Sequence, residues 1–260
     1  MRPLRALARL LHAVVHMLHG LAIVLLQFDR LDRAQRQQRI RWWAGKMLRV
    51  LGVSLQSDGV AHAGAALLVS NHISWMDILA IHAVCPQARF VSKADVKRWP
   101  LLGRLVASAG TLFIERERKR DALRVVHQMA HALQHGEMVA VFPEGTTSDG
   151  RGVLPFHANL LQAAITTQVP VQPVVLRFSE PEHAVSPAVA YVGETTLLQS
   201  VWRVAGAQGV TAHVSLLLPQ GTRHLERRAL ADLLQQQIEE RLAEPGSVPG
   251  APASQPAQAL

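Results

Sequence analysis

Short apolar runs alternate with amphipathic stretches along most of this chain, and that alternation restricts the possible folds more than any other feature. Strands that alternate with helices typically form a sheet covered by helices. We therefore expect an α/β domain with a mixed, largely parallel sheet flanked by helices. The predicted strands are 66–70, 89–92, 111–115, 138–143, 171–178, 189–192 and 211–218, and the predicted helices are 74–84, 100–107, 119–135, 155–167 and 225–242.

The amino-terminal segment is predicted to associate with a membrane. Residues 4–28 read LRALARLLHAVVHMLHGLAIVLLQF, which is close to the ~20 residues needed to span a bilayer. Arginines and histidines interrupt it, so the helix could either span the membrane or lie in its interface. His12, His16 and His19 share one helical face, which we interpret as a polar stripe rather than a metal site. Residues 1–50 are thus a helical membrane segment, 51–243 the main domain and 244–260 a disordered tail.

The charge balance favours an anionic partner. The chain has a formal net charge of +8, and its first 50 residues are rich in arginine. Lipid headgroups, nucleic acid and an acidic carrier protein would all fit this charge. Aromatic residues are few and no nucleic-acid-binding motif is found, so a membrane is the preferred partner and nucleic acid is not expected. The single cysteine excludes an intrachain disulfide and a cysteine-only metal site.

The segment NHISWMD, residues 71–77, follows a predicted buried strand. On one continuous helix, His72 and Asp77 would lie roughly 140° apart and could not touch. If the helix begins inside the segment, Asp77 can reach back toward the preceding turn. Two interpretations follow: a capping box formed by Ser74 and Asp77, or a hydrogen-bonded His72–Asp77 pair. This segment alone favours the capping box.

Three further segments place polar groups at the ends of predicted strands. FPEGTTS, residues 142–148, has a carboxylate, a glycine and hydroxyl groups at such a position, where open α/β sheets bind ligands. GTLFIER, residues 110–116, ends in a charged pair, and FVSKADVKRWPLLG, residues 90–103, carries Lys93. Singly, each is explained equally well as an ordinary turn. Their occurrence together, in this order, favours function.

Taken together, these segments resemble the motifs of the glycerolipid acyltransferase family, specifically the bacterial 1-acylglycerol-3-phosphate acyltransferases. The resemblance covers roughly residues 69–176. Four ordered motifs carry it: N-H-x-x-x-x-D at Asn71, His72 and Asp77; G-x-x-F-I-x-R at Gly110, Phe113, Ile114 and Arg116; F-P-E-G-T-R-S at Phe142, Pro143, Glu144, Gly145, Thr146 and Ser148; and V-P-x-x-P-V at Val169, Pro170, Pro173 and Val174.

The resemblance implies a reaction and roles for individual residues. His72 would be the general base on a lysolipid hydroxyl, with Asp77 orienting its ring. An acyl thioester, either acyl-CoA or acyl-carrier protein, would be the co-substrate, and neither a metal nor another cofactor is expected. No G-x-S-x-G elbow is present, so the hydroxyl would attack the thioester directly. The enzyme would act at the cytoplasmic face of the inner membrane. The acceptor would be positioned by Arg116, Glu144, Gly145 and Thr146, with Lys93 a weaker candidate.

One departure from the family pattern concerns the acceptor. Thr147 stands where the third motif has arginine, whose guanidinium forms bidentate bonds to phosphate that threonine cannot replace. We expect 1-acylglycerol-3-phosphate as the acceptor, with lyso-ornithine lipid or another lysolipid as the alternative. The continuation SDGRGVLPFHANLL also resembles the lyso-ornithine lipid branch. A non-catalytic lipid-binding protein and a hydrolase using the same His–Asp pair are rival hypotheses.

Overall fold

The computed structural model describes residues 2–114 and 119–244, without the side chains of Lys93, Ile114 and residues 119–122. Arg116 and the predicted tail beyond Glu244 lie outside this part of the chain.

Within it, seven strands form one sheet. The strands are β1 (Val53–Asp58), β2 (Ala66–Ser70), β3 (Ala88–Lys93), β4 (Leu112–Ile114), β5 (Met138–Val141), β6 (Val171–Ser179) and β7 (Val210–Leu216). They run in the order β1-β7-β6-β2-β5-β3-β4. The β6–β7 pair is antiparallel and the other neighbouring pairs are parallel. This confirms the predicted mixed, largely parallel sheet.

Helices cover both faces of the sheet. The helices are α1 (Arg2–Leu26), α2 (Arg33–Val50), α3 (Met76–Val84), α4 (Ala94–Lys97), α5 (Leu102–Ser108), α6 (Lys119–Gln134), α7 (Gln162–Thr167), α8 (Leu197–Gly206) and α9 (Arg227–Ala243). Because β2 lies in the middle of the sheet, its successive side chains enter two different cores. Leu68 packs with residues of α2 and α3, and Leu67 and Val69 pack with residues of α6, α7 and α9.

The sequence-based elements differ from this fold in several places. The strand predicted at 189–192 is wrong, because the Tyr191 N–H bonds the carbonyl of Ile73 in a loop instead of a neighbouring strand. The helix predicted at 155–167 starts only with a 3₁₀ turn at Ala158–Leu161, since the backbone N–H groups of Leu154 and His157 are held by the loop after β5. Strand β1 and helix α8 were not predicted.

Helix α1 lies along the domain with one face buried and the other exposed. Gly20 allows close approach to α2, because a Cβ there would come within 2.2 Å of the Trp43 indole nitrogen. His16 is buried and stacks on Trp43, so the predicted polar stripe is wrong at this position. By length and composition, Arg2–Leu26 is apolar enough to cross a membrane. The outward face carries exposed apolar side chains at Leu4, Leu7, Leu11, Val14, Val15, Leu18, Leu25 and Leu26.

A second run of histidines lies at the surface. His127, His131 and His135 lie on the exposed side of α6 or directly after it, opposite the buried Leu133. Leu123, on the same helix, is 65% exposed. In the described parts of the chain no group of His, Cys, Asp or Glu side chains is arranged to hold a metal ion.

Candidate active site

The turn between β2 and α3 brings His72 and Asp77 together. Helix α3 begins after Trp75, so Asp77 stands in its first turn and its carboxylate reaches back over the residues before the helix. Asp77 Oδ2 lies 2.7 Å from His72 Nδ1 and also accepts the backbone N–H groups of Ile73 and Ser74. The alternative Ser74–Asp77 capping contacts are also present, since Asp77 holds the Ser74 N–H and Ser74 Oγ accepts the Met76 N–H at 3.4 Å, although Trp75 is the N-cap residue of α3. The geometry is that of the hydrogen-bonded pair.

Burial differs sharply between the two partners. The Asp77 side chain is fully buried, whereas the His72 side chain is 19% exposed. Since Nδ1 is engaged by Asp77, Nε2 is the ring nitrogen that remains to exchange a proton with a bound molecule. A buried carboxylate that fixes the tautomer of a partly exposed imidazole is the arrangement required for general-base catalysis.

The main chain of His72 is clamped by the loop that follows β5. Glu144 Oε1 accepts the His72 N–H at 2.6 Å, and Ser148 N–H donates to the His72 carbonyl at 2.7 Å. Glu144 is 4% exposed, and its second carboxylate oxygen accepts the Leu154 N–H. Burial raises the pKa of Glu144, while the two amide bonds oppose that shift. The predicted headgroup ligand Glu144 therefore has both oxygens occupied by backbone groups.

Asn71 ties the same turn to the sheet. Its side-chain Oδ1 accepts the Leu176 N–H at 2.8 Å, and its Nδ2 donates to the Leu176 carbonyl at 2.9 Å. The β2–β6 ladder ends with Ser70 opposite Val174. The amide side chain thus forms the next rung of the ladder, which allows the main chain to leave the sheet at His72.

The imidazole of His72 lies against an aromatic column. The Phe142 ring stacks on it with 3.9 Å between ring centroids and 10° between planes. Phe90 stacks on Phe142, and His82 packs edge-on against Phe90. The column restricts rotation of His72 on the side facing the protein, so its free nitrogen is directed by both Asp77 and Phe142.

The predicted headgroup residues beyond Glu144 lie at the surface. Gly145 and Thr146 are exposed. Gly145 has φ +71°, in the left-handed region that glycine adopts without strain. Thr147 is half-buried, and its hydroxyl donates to the Tyr191 carbonyl. Thr147, which stands where the family motif has arginine, therefore binds the neighbouring loop that contains Tyr191.

Two predicted ligands cannot be placed in the site. Lys93 is the last residue of β3, but its side chain is not among those described, and Arg116 is outside the described residues. Cys85 is fully buried, and burial raises the pKa of its thiol to about 11. It is therefore not a thiolate near neutral pH.

Sequence reasoning assigned no role to His157. Its backbone N–H donates to the Pro143 carbonyl at 2.8 Å, and its ring lies against Gly145. Twelve residues separate the two along the chain, counting from 145 to 157, and no spacing rule indicates the contact. It arises because the chain folds back over the loop after β5.

Comparison with known proteins indicates the family of this chain. A family model described as Acyltransferase matches residues 34–177. The chain is similar to a lyso-ornithine lipid O-acyltransferase of Pseudomonas aeruginosa, with 34% identity over 92% of each chain. It is also similar to a 1-acyl-sn-glycerol-3-phosphate acyltransferase of Neisseria meningitidis, with 33% identity over 76% of this chain and 77% of the other.

A solved structure shares the fold. The 1-acyl-sn-glycerophosphate acyltransferase of Thermotoga maritima superposes with a TM-score of 0.69 and 20% identity, covering 94% of this chain and 99% of that one. The family model matches more than half of the chain, and both sequence relatives are at least 33% identical to it over more than two thirds of its length. The chain belongs to the glycerolipid acyltransferase family and is an O-acyltransferase.

Proposed function

We propose that this enzyme transfers a fatty acyl group from a thioester to the free hydroxyl of a lysolipid, with His72 as general base. The observation that carries the proposal is the 2.7 Å contact between His72 Nδ1 and the buried Asp77 carboxylate. In the reaction, His72 Nε2 takes the hydroxyl proton while the hydroxyl oxygen attacks the thioester carbonyl. The C–S bond then breaks, and the departing thiolate takes the proton from the imidazolium.

Asp77 would support both proton transfers. Its carboxylate holds the tautomer that leaves Nε2 unprotonated, and it stabilises the imidazolium formed during attack. An enzyme nucleophile is not required in this scheme, in keeping with the burial and raised thiol pKa of Cys85. The co-substrate would be acyl-CoA or acyl-carrier protein, with no further cofactor.

The sequence-based expectation is 1-acylglycerol-3-phosphate (lysophosphatidic acid), but for the acceptor we favour the alternative, lyso-ornithine lipid. Thr147 brings no cation to the loop after β5, and its hydroxyl is already used on Tyr191. The relative named as a lyso-ornithine lipid O-acyltransferase matches 92% of this chain, compared with 76% for the relative named as a 1-acyl-sn-glycerol-3-phosphate acyltransferase. Lysophosphatidic acid remains the second candidate, because the family arginine of the second motif is present as Arg116.

An acceptor panel tests this function. Purified full-length protein is supplied with a labelled acyl thioester and, in separate reactions, lyso-ornithine lipid, lysophosphatidic acid or no acceptor. The proposal requires labelled diacyl product and release of free thiol in equal amounts. Thiol release without an acceptor would identify a thioester hydrolase, and binding of lipid without transfer would identify a lipid-binding protein. Higher kcat/KM with lysophosphatidic acid would reverse our choice of acceptor.

We further propose that α1 holds the enzyme at the cytoplasmic face of the inner membrane by lying in the interface. Its inward face is fixed to the domain, where Arg9 donates to the carbonyls of Ala205 and Ala207. Its outward face presents the exposed apolar stripe to lipid. Replacing Leu7 and Leu11, which are 60% and 67% exposed, by glutamine should release the protein from vesicles without unfolding it. Unchanged vesicle binding would place the anchor elsewhere.

A further inference from the structure

The loop after β5 has few cations with which to bind an anionic headgroup. In residues 142–157, all of which are described, the basic side chains are Arg151 and His157. Arg151 is 78% exposed and pairs with Asp149 at 3.7 Å. Thr147 occupies the position of the family arginine and bonds Tyr191. An acceptor that carries a carboxylate or a phosphate would therefore need another partner at this place.

His157 stands where such a partner is needed. Its ring lies so close to Gly145 that a Cβ on that glycine would come within 3.0 Å of His157 Cδ2 and 3.1 Å of Nε2. Gly145 is exposed and directly follows Glu144, whose carboxylate holds the backbone N–H of His72. The loop after β5 thus contacts the His72 main chain through Glu144 and the His157 ring through Gly145.

The imidazole of His157 is free to bind. The residue is exposed and precedes the 3₁₀ turn Ala158–Leu161 as its N-cap, but its side chain makes no capping bond. Within the described residues, its ring takes part in no hydrogen bond or ion pair. The His157 backbone N–H is fixed by the Pro143 carbonyl, so the main chain is held without using either ring nitrogen.

From this geometry we propose that His157, together with the exposed Thr146 that follows Gly145 in the chain, forms a binding subsite for the anionic group of the acceptor. The shared chemistry is an oxyanion, which is a carboxylate in lyso-ornithine lipid and a phosphomonoester in lysophosphatidic acid. A protonated imidazole donates a charge-assisted hydrogen bond to either group. The subsite deepens the proposed function and rests on it. It gives the acceptor a contact separate from that between its hydroxyl and His72.

The test compares steady-state constants of full-length wild type, His157→Gln and His157→Lys with both acceptors. His127→Gln is the matched control, because His127 is exposed on α6. Glutamine keeps a hydrogen-bond donor but has no charge, and lysine restores a cation. We expect His157→Gln to raise the acceptor KM about tenfold, with the thioester KM and kcat changed less than twofold. His157→Lys should keep the acceptor KM within about threefold of wild type.

The outcomes separate the subsite from the function. The acceptor whose KM rises identifies the anion that His157 binds. An unchanged acceptor KM in His157→Gln, with transfer intact, would overturn the subsite and leave the acyltransferase function standing. An equal loss in the lysine and glutamine variants would show that the ring has a structural role and would also overturn the subsite. Absence of transfer in the wild type would overturn the proposed function itself.

Discussion

His72 and His157 both contact the loop after β5, yet the fold treats them in opposite ways. His72 is held through its ring by Asp77 and Phe142 and through its main chain by Glu144 and Ser148. The His157 ring is exposed and makes no polar contact within the described residues. The first histidine must keep one geometry for proton transfer. The second is available to whichever headgroup the enzyme accepts.

This contrast indicates which residues of the protein could be substituted without loss of turnover. A displacement of the general base by about 1 Å would slow the reaction by orders of magnitude, so the contacts of His72 leave little freedom for substitution. The surface formed by Gly145, Thr146 and His157 has no such constraint, apart from the space that a side chain at 145 would take. Thr147, where the family motif has arginine, directly follows Thr146 of this surface in the chain.

Loss of the clamped histidine should have the largest effect. His72→Ala removes the general base and should reduce kcat roughly 10²–10⁴-fold, with the fold unchanged. Asp77→Asn should also slow turnover, because an amide no longer stabilises the imidazolium. Initial rates of thiol release report both, and His127→Ala, on the exposed face of α6, serves as control. Near wild-type activity in His72→Ala would exclude the proposed mechanism.

Glu144→Gln should separate positioning of His72 from acceptor binding. Glutamine has one acceptor oxygen where the carboxylate has two, so either the His72 or the Leu154 backbone N–H loses its partner. We expect kcat to fall about 10–100-fold, the equivalent of about 1.5–3 kcal/mol, with the acceptor KM unchanged. Steady-state kinetics measure this split, and Glu182→Gln at the exposed surface is the matched control. A raised acceptor KM at constant kcat would instead return Glu144 to its predicted role as a headgroup ligand.

The local sequence predicted six of the seven strands, whereas the His72–Asp77 pair followed from the family resemblance, since the segment alone favoured a capping box. Buried strands such as β2 are continuous apolar runs, and the spacing of His72 and Asp77 is fixed within one turn. The Glu144 contact with His72 joins residues 72 positions apart, and that of Asn71 with Leu176 spans 105. Such contacts depend on which strands become neighbours. The prediction of a strand at 189–192 is wrong for the same reason, because an apolar pattern does not indicate that the Tyr191 N–H bonds the Ile73 carbonyl in a loop.

Thr147→Arg should alter acceptor choice rather than chemistry. The change removes the hydroxyl that bonds the Tyr191 carbonyl and adds a cation near the headgroup surface. We expect the KM for lysophosphatidic acid to fall several-fold. The KM for lyso-ornithine lipid should improve less, because the new cation attracts its carboxylate but repels its ammonium. Thr147→Val, which loses the hydrogen bond without adding charge, is the control. Unchanged constants for both acceptors would show that position 147 does not face the headgroup.

The smallest effect on turnover should come from a third histidine, His82, at the far end of the aromatic column. Burial lowers its pKa from 6.5 to about 4. Between pH 4 and 6.5 the unfolded chain binds a proton on His82 that the folded protein does not. The free energy of unfolding is therefore at its full value above pH 6.5. It decreases by up to about 3 kcal/mol as the pH falls toward 4. Thermal unfolding of wild type and His82→Leu should therefore differ in slope across that range, with kcat at neutral pH unchanged. Parallel unfolding profiles would contradict this.

The rung that Asn71 adds to the β2–β6 ladder has a consequence for local opening. By its backbone the segment around His72 is a loop, and loops usually exchange their amide hydrogens quickly. Here the N–H groups of His72, Ile73, Ser74 and Ser148 all donate within the molecule, and the segment is attached to a central strand. Its amides should therefore exchange at the slow rate of β2 and β6, as part of one cooperative unit. In this enzyme the turn that carries the reactive histidine would open only when the sheet itself opens.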